Sequence, residues 1–270
     1  MDPATVWGSR WLNSNQPIAK KYMETVCKKQ SLVVLAADKN TMEELHQLID
    51  DVGDYISALK THVDLIDDWT REKWNLFVLK AKENDLLIFE DRKHGDIGKI
   101  VKEQMGGIYD SKSWADLITA HLISGPSILD GMQEAWESEN REGGVLLLAQ
   151  MSSEGNLLEL PGYTNSVVKL GKVHPICFGF IGNGSNPNEI SELREIVGKE
   201  KMIWTPGVNL NSNEAVLGQR YGDPEEAILS GSDAIIIGSG IHKAINPKEM
   251  ASKYAKISWE ALIKRGVNFD

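Results

Sequence analysis

Residues 86–98 read LLIFEDRKHGDIG. Four apolar side chains, Leu86 to Phe89, run without alternation straight into Glu90, Asp91, Arg92 and Lys93. A strand with one face in water alternates apolar and polar residues. A continuous apolar run marks a strand covered on both faces, as in a parallel sheet packed under helices. Seven more short, largely apolar runs occur, at residues 32–36, 55–59, 115–119, 145–149, 176–181, 202–205 and 234–237.

Amphipathic stretches fill the intervals. Residues 41–52 open on Thr41 with Glu44 three positions on, and carry Leu45, Leu48, Ile49 and Val52 on one stripe, the signature of a capped helix. Residues 69–84 predict a second helix, with Trp69, Leu76, Phe77 and Leu79 as its apolar face. Pro224 behind Asp223 predicts an N-cap and first turn for residues 223–229, and Pro247 opens a last helix to about Lys264, stopped by Gly266. Eight strand–helix units within about 250 residues predict an α/β fold, a single-domain (β/α)8 TIM barrel over residues 16–270. Residues 1–15 are expected to be a loosely packed N-terminal tail. A doubly wound open sheet is the alternative, but no G-x-G-x-x-G follows the first strand, so its dinucleotide-binding version has no support.

Composition narrows the partners. With 29 Lys+Arg against 39 Asp+Glu the net charge is −10, a field that repels phosphate backbones, so nucleic acid is not expected as a partner. A small anion in a locally basic pocket is compatible with it. Two cysteines, Cys27 and Cys177, make neither a disulfide framework nor a zinc site. No run of eighteen apolar residues occurs, and the first sixteen residues lack the apolar core of a signal peptide. A soluble, cytoplasmic protein without membrane contact is expected.

In a (β/α)8 barrel chemistry collects at the C-terminal ends of the strands. There Asp91 and Lys93, two apart on a strand, face the same way. Asp96 follows three residues later, where Gly95 and Gly98 permit close backbone approach, and Lys60 closes the neighbouring strand. Two ammoniums alternating with two carboxylates keep one another ionised. A carboxylate beside a bound carboxylate raises that anion's energy, while an ammonium stabilises developing negative charge and then donates a proton. Such an array suits replacement of a carboxylate on carbon by hydrogen. The simpler reading is a solvated charge cluster after a core strand.

The segment FEDRKHGDIG resembles the Asp-x-Lys-x-x-Asp-Ile/Val-Gly signature of the orotidine 5′-monophosphate decarboxylase family in its eukaryotic form, met here by Asp91, Lys93, Asp96, Ile97 and Gly98. LKTHVDLI (59–66), WADLITAH (114–121), MSSEGNL (151–157), WTPGVNL (204–210), LGQRY (217–221) and GSDAIIIGSG (231–240) resemble further family segments in family order. The resemblance implies that Lys93 protonates the pyrimidine carbon that loses CO2 and that Asp91 presses on the departing carboxylate. Lys60 and Asp96 complete the charge network, Asp96 across the interface of a homodimer. It further implies that Asp38 and Lys60 hold the ribose and that Ser152 and Gln219 bond the pyrimidine. Gln219 and Tyr221, on a lid after Pro206 spanning residues 208–222, grip the phosphate; Gly238 and Ser239 offer backbone N–H groups. No metal and no organic cofactor are implied, and the expected ligands are orotidine and uridine 5′-monophosphates.

Four positions depart from the family pattern. Ser239 stands where the family has Arg, Ile100 where it has a ribose-binding Thr, Ala36 where it has Ser, and His94 where it has an aromatic residue; His94 is expected to pack beside the signature rather than serve as a second acid or base. The leading expectation is decarboxylation of orotidine 5′-monophosphate to uridine 5′-monophosphate in pyrimidine synthesis. One rival is a metal-dependent sugar-phosphate lyase sharing Asp-x-Lys-x-x-Asp. The other is a catalytically impaired or altered-substrate homologue that binds a pyrimidine nucleotide or nucleoside. Arg220, in the lid segment, either substitutes for the missing phosphate Arg or, as the simpler reading has it, is a solvated side chain.

Overall fold

The structure, a computed structural model, describes residues 1–210 and 221–266. Eight parallel strands close into a barrel in chain order: β1 (Val33–Ala36), β2 (Ala58–Thr61), β3 (Leu87–His94), β4 (Leu117–Ala120), β5 (Gly144–Leu148), β6 (Cys177–Ile181), β7 (Met202–Thr205) and β8 (Ala234–Ile237). All eight apolar runs overlap these strands. Residues 55–59 are displaced, because Gly53–Tyr55 coils into a 3-10 turn and the extended chain begins only at Ala58. β3 is the longest strand and carries its extension through the charged residues.

The helix Met42–Val52 forms as read: the Thr41 hydroxyl accepts from the Glu44 N–H at 3.3 Å, and Leu45, Leu48, Ile49 and Val52 are buried. The helix Arg71–Glu83 turns a different face inward from the one expected. Its buried residues are Trp74, Phe77, Val78 and Ala81, an i, i+3, i+4, i+7 stripe, while Leu76 and Leu79 are exposed. Thr70 caps this helix through the Lys73 N–H, which leaves Trp69 ahead of its first turn. Asp223 caps Pro224–Leu229, and the last helix runs Pro247–Gly266.

Residues 1–15 are not loose. Pro3–Trp7 and Ser9–Asn13 are helical, Trp7 is buried, and the Arg10 guanidinium lies across the Asp233 carboxylate at 2.6 and 2.8 Å. The helix Pro17–Lys29 follows and lays Tyr22 against Trp204 and Phe178. Phe89, two residues before Asp91, packs edge-on to Trp204 at 5.5 Å. An aromatic column thus fills the barrel beneath the charged residues. Gly98 does serve close approach: a Cβ there would meet the Ser127 carbonyl oxygen at 2.1 Å, where the helices Gly98–Met105 and Ser127–Glu137 touch. Gly95 meets no such constraint, its nearest neighbour being 3.9 Å away.

Candidate active site

The charges on β2 and β3 converge, as expected, at the mouth of the barrel. Lys60 is in register with Ala36 of β1 and Phe89 of β3, so its side chain rises beside those of Asp91 and Lys93. The Lys93 ammonium lies 2.7 Å from Asp91 Oδ2, and the Lys60 ammonium lies 3.5 Å from the same oxygen and 3.4 Å from Asp38 Oδ1. Burial alone would raise the Asp91 carboxyl, but the ammoniums of Lys60 and Lys93 outweigh it and hold it down at about 2. Asp91 is therefore an anion at every physiological pH.

This geometry does not come from a regular pleat. The β3–β4 register shifts between Glu90 and His94, and Lys93 has φ of 53°, a left-handed conformation costing roughly 1–3 kcal/mol in a residue with a Cβ. Thr119 of β4 stabilises it from both sides. Its hydroxyl accepts from the Lys93 N–H at 2.8 Å and donates to Asp91 Oδ1 at 2.9 Å. The sequence offers no signal for Thr119, since its partners belong to another strand.

His62 also joins the cluster. Its Nε2 lies 2.7 Å from the Lys60 ammonium and 3.6 Å from Asp91 Oδ2. Burial and then the Lys60 charge lower its pKa, so the neutral ring accepts from Lys60. Its position two residues after Lys60, at the mouth of the same strand, is the signal that could have marked it. Behind the strands, Glu90 is fully buried and accepts from the Thr61 hydroxyl at 2.7 Å and the Val63 N–H at 3.2 Å. Burial raises its carboxyl to about 8 despite those donors, so it holds the end of β2 as an uncharged acid at neutral pH.

Six of the expected site residues line one cavity of about 380 Å³ at the mouth, Asp38, Lys60, Pro206, Tyr221, Gly238 and Ser239, and Ala36 lines it with them. Ser152 is buried in the loop after β5, outside the lining of this cavity. The ends of the expected lid are clamped together, the Asn209 N–H donating to Gly222 O at 3.0 Å and the Gly222 N–H to Gly207 O at 2.8 Å. Gln219 and Arg220 lie outside the described residues. A larger cavity, about 580 Å³, opens near the N-terminal helices. Its Arg10 and Arg141 are already committed to Asp233, Asp116 and backbone carbonyls, so size alone does not mark the site.

Asp96 does not join the cluster of its own chain. The backbone leaves β3 at His94, and Asp96 stands exposed on the following loop, its Oδ1 accepting from the Ile97 N–H at 2.7 Å. Exposed apolar side chains lie near this loop: Ile97 and Ile100 follow it in sequence, Ile123 approaches Gly95, and Ile108 lines one cavity with Gly95 and Asp96. His94 is buried, its Nδ1 paired with Gln104 at 3.1 Å and its Nε2 without a partner; burial lowers its pKa to about 4. It packs as an uncharged ring.

The chain is similar to known proteins over most of its length. Residues 31–254 match the sequence pattern of the orotidine 5′-phosphate decarboxylase / HUMPS family. The chain is 37% identical over 258 residues to the orotidine 5′-phosphate decarboxylase of Cyberlindnera jadinii, covering 92% of this chain and 93% of that one. It is 38% identical over 257 residues to the uridine 5′-monophosphate synthase of Bos taurus, covering 94% of this chain and 51% of that protein, so it spans about half of the bovine enzyme's length. In three dimensions it resembles the orotidine 5′-monophosphate decarboxylase of Methanocaldococcus jannaschii, with a TM-score of 0.67 at 22% identity over 84% of this chain and 97% of the other, a likeness of fold. With the family pattern spanning most of the barrel, the chain belongs to the orotidine 5′-phosphate decarboxylase / HUMPS family.

Proposed function

We propose that this protein is a carboxy-lyase that converts orotidine 5′-monophosphate to uridine 5′-monophosphate and CO2, serving pyrimidine synthesis. The observation that carries the reading is the Lys60–Asp91–Lys93 array at the barrel mouth, with Asp91 ionised between two ammoniums. The bond from the pyrimidine ring to the carboxylate breaks and leaves its electron pair on the ring carbon. Asp91, a fixed anion, opposes the substrate carboxylate, and that opposition ends as neutral CO2 departs. Lys93 stabilises the carbanion and passes it a proton, which solvent later returns to the amine. Net, one proton replaces one CO2.

Asp38 and Lys60 face the ribose; Ser152 and Gln219 are assigned to the pyrimidine and Tyr221 to the phosphate end. These roles rest on the family resemblance, supported for Asp38, Lys60 and Tyr221 by their common cavity. No metal or organic cofactor takes part in this chemistry. Loss of orotidine 5′-monophosphate, followed by absorbance in the presence of a chelator, tests the reading. Wild type is expected to turn over and Lys93→Ala to fall by about 10³-fold or more. Activity that disappears with the chelator would instead favour the sugar-phosphate branch.

The functional unit we propose is a homodimer. Asp96 is exposed on the face that also exposes Ile97, Ile100, Ile108 and Ile123. A second copy covering this face would bury the isoleucines and carry Asp96 to the Lys93 of the other protomer. Mixing inactive Lys93→Ala with inactive Asp96→Ala tests it, since random pairing restores about a quarter of the sites if they are shared and none if they are not. A cytoplasmic location fits two buried, unpaired cysteines, and no helix of the described residues is long and apolar enough to cross a membrane.

A second reading is favoured by one observation. Ser239, exposed at the cavity rim, cannot reproduce the bidentate grip of an Arg on phosphate. The chemistry would then survive with weakened recognition of the 5′-phosphate. A nucleotide preference over phosphate-free orotidine as large as that of an Arg-bearing relative would exclude it.

A further inference from the structure

The charges lining the mouth cavity are unequally committed. Lys60 is shared among Asp38, Asp91 and His62 at 3.4, 3.5 and 2.7 Å. Lys243 lines the same cavity, and among the described residues its ammonium has neither an ion-pair nor a hydrogen-bond partner. Its place is fixed by the short helix Ser239–His242, whose last turn closes with the Lys243 N–H donating to the Ser239 carbonyl at 3.2 Å. Residues four apart share a helix face, so Lys243 stands one turn beyond Ser239 on the side that meets the cavity. His242 also lines the cavity; burial, against the pull of Asp38, lowers its pKa. It therefore offers a neutral ring and leaves Lys243 as the uncommitted positive charge.

We infer that Lys243 is the specificity-determining cation for the anionic end of a ribonucleoside 5′-monophosphate, one helical turn from where position 239 would supply it. The inference rests on the decarboxylase reading for the identity of the ligand, not for the binding itself. A flexible ammonium at the rim gives charge without a fixed fork, so it selects for an anion while demanding less of its orientation. It also answers how a chain with net charge −10 draws a nucleotide: the local field at the rim, not the total, faces the ligand.

Titration of wild type, Lys243→Ala, Lys243→Arg and Arg220→Ala with uridine 5′-monophosphate and with uridine, by calorimetry at two salt concentrations, tests it. Lys243→Ala is expected to lose roughly 10-fold or more in nucleotide affinity, to lose far less for uridine, and to flatten the salt dependence. Lys243→Arg should retain most of the wild-type preference. Unchanged nucleotide affinity in Lys243→Ala, or the whole loss falling on Arg220→Ala, overturns the inference. The ratio of kcat/KM for orotidine 5′-monophosphate to that for orotidine is measured alongside, and should fall in Lys243→Ala through KM rather than kcat. A wild-type protein that binds the nucleotide by way of Lys243 yet releases no CO2 would refute the decarboxylase reading and leave this inference standing.

Discussion

The two ends of the barrel each gather charge, and they handle it in opposite ways. At the N-terminal end the fully buried Asp233 carboxylate meets three guanidiniums, those of Arg10 at 2.6 Å, Arg194 at 2.5 Å and Arg265 at 2.9 Å, and also accepts from the Ile203 N–H. Burial would raise its pKa; Arg10, Arg194 and Arg265 reverse this and hold it well below the usual carboxylate range. The surplus N–H groups of the arginines go to the carbonyls of Lys199, Gly198, Lys201, Gly231 and Ile228. Charge there is neutralised, hydrogen-bonded and closed off. At the C-terminal end Lys60, Asp91 and Lys93 are only partly sealed, Lys93 lies in a left-handed backbone conformation, and Lys60 lines the mouth cavity. Buried charges are tolerated when every lone pair and proton is matched. A site that must act on a ligand keeps groups in reserve for it. The first arrangement holds the fold together; the second is held by the fold.

Substitutions at the two ends should therefore separate activity from stability. Asp233→Asn leaves three buried cations facing a neutral amide and is expected to cost about 3–5 kcal/mol, read as a fall in the denaturant midpoint. The surviving folded fraction should keep its turnover. Lys93→Ala should do the reverse, losing about 10³-fold or more in rate with an unfolding midpoint near that of wild type. If Lys93→Ala unfolds the protein while Asp233→Asn leaves it stable and inactive, the division between the ends is wrong.

Glu90 sharpens the contrast, because it is buried like Asp233 but has no cation of its own. Its carboxyl is raised to about 8 from an ordinary 4.5. The native state thus holds a proton that the unfolded chain gives up, so its contribution is complete below pH 4.5 and is lost as pH rises through 8. Glu90→Gln should remove that loss and be more stable than wild type at pH 8 by roughly 2–4 kcal/mol. Equal pH profiles of stability for the two proteins would show that Glu90 is ionised in place.

The smallest effect is expected at His94. Its pKa of about 4, against an ordinary 6.5, means that the unfolded chain takes up a proton first as pH falls. Its contribution is whole above pH 6.5 and lost on the way to 4. His94→Phe removes both this sensitivity and a buried unpartnered nitrogen, and should raise stability by about 1 kcal/mol at neutral pH. A lower thermal midpoint for that variant would indicate that the bond to Gln104 outweighs the orphaned atom.

Much of this was legible along the chain, and the reasons are local. Parallel strands under helices are apolar on both faces, so the eight strands stand out as short, largely apolar runs, broken only by residues such as Ser57, Lys60 and Asp116. Caps such as Thr41 and Asp223 act within four residues of themselves. Lys60, Asp91 and Lys93 could be grouped because strand period and barrel polarity place strand ends in one mouth. The helix Arg71–Glu83 was read in the wrong phase, because Val78 and Ala81 fill its inner face less conspicuously than Leu76 and Leu79 would. Arg10 looked like part of a loose tail because its partner, Asp233, lies 223 residues away.

By itself, then, the sequence determined the (β/α)8 barrel, the family and the identity of the charges at strand ends, since period, polarity and motif order are properties of neighbours along the chain. Only the tertiary structure decided what those charges touch. It placed Thr119 under Asp91 and Lys93, set His62 against Lys60, turned Asp96 outward, tied the N-terminus to Asp233, and left Lys243 at the cavity rim without a partner among the described residues. Such pairings depend on which distant side chains share a few ångströms of low-dielectric space, and there one neighbour more or less decides whether a charge is spent on the fold or kept for a ligand.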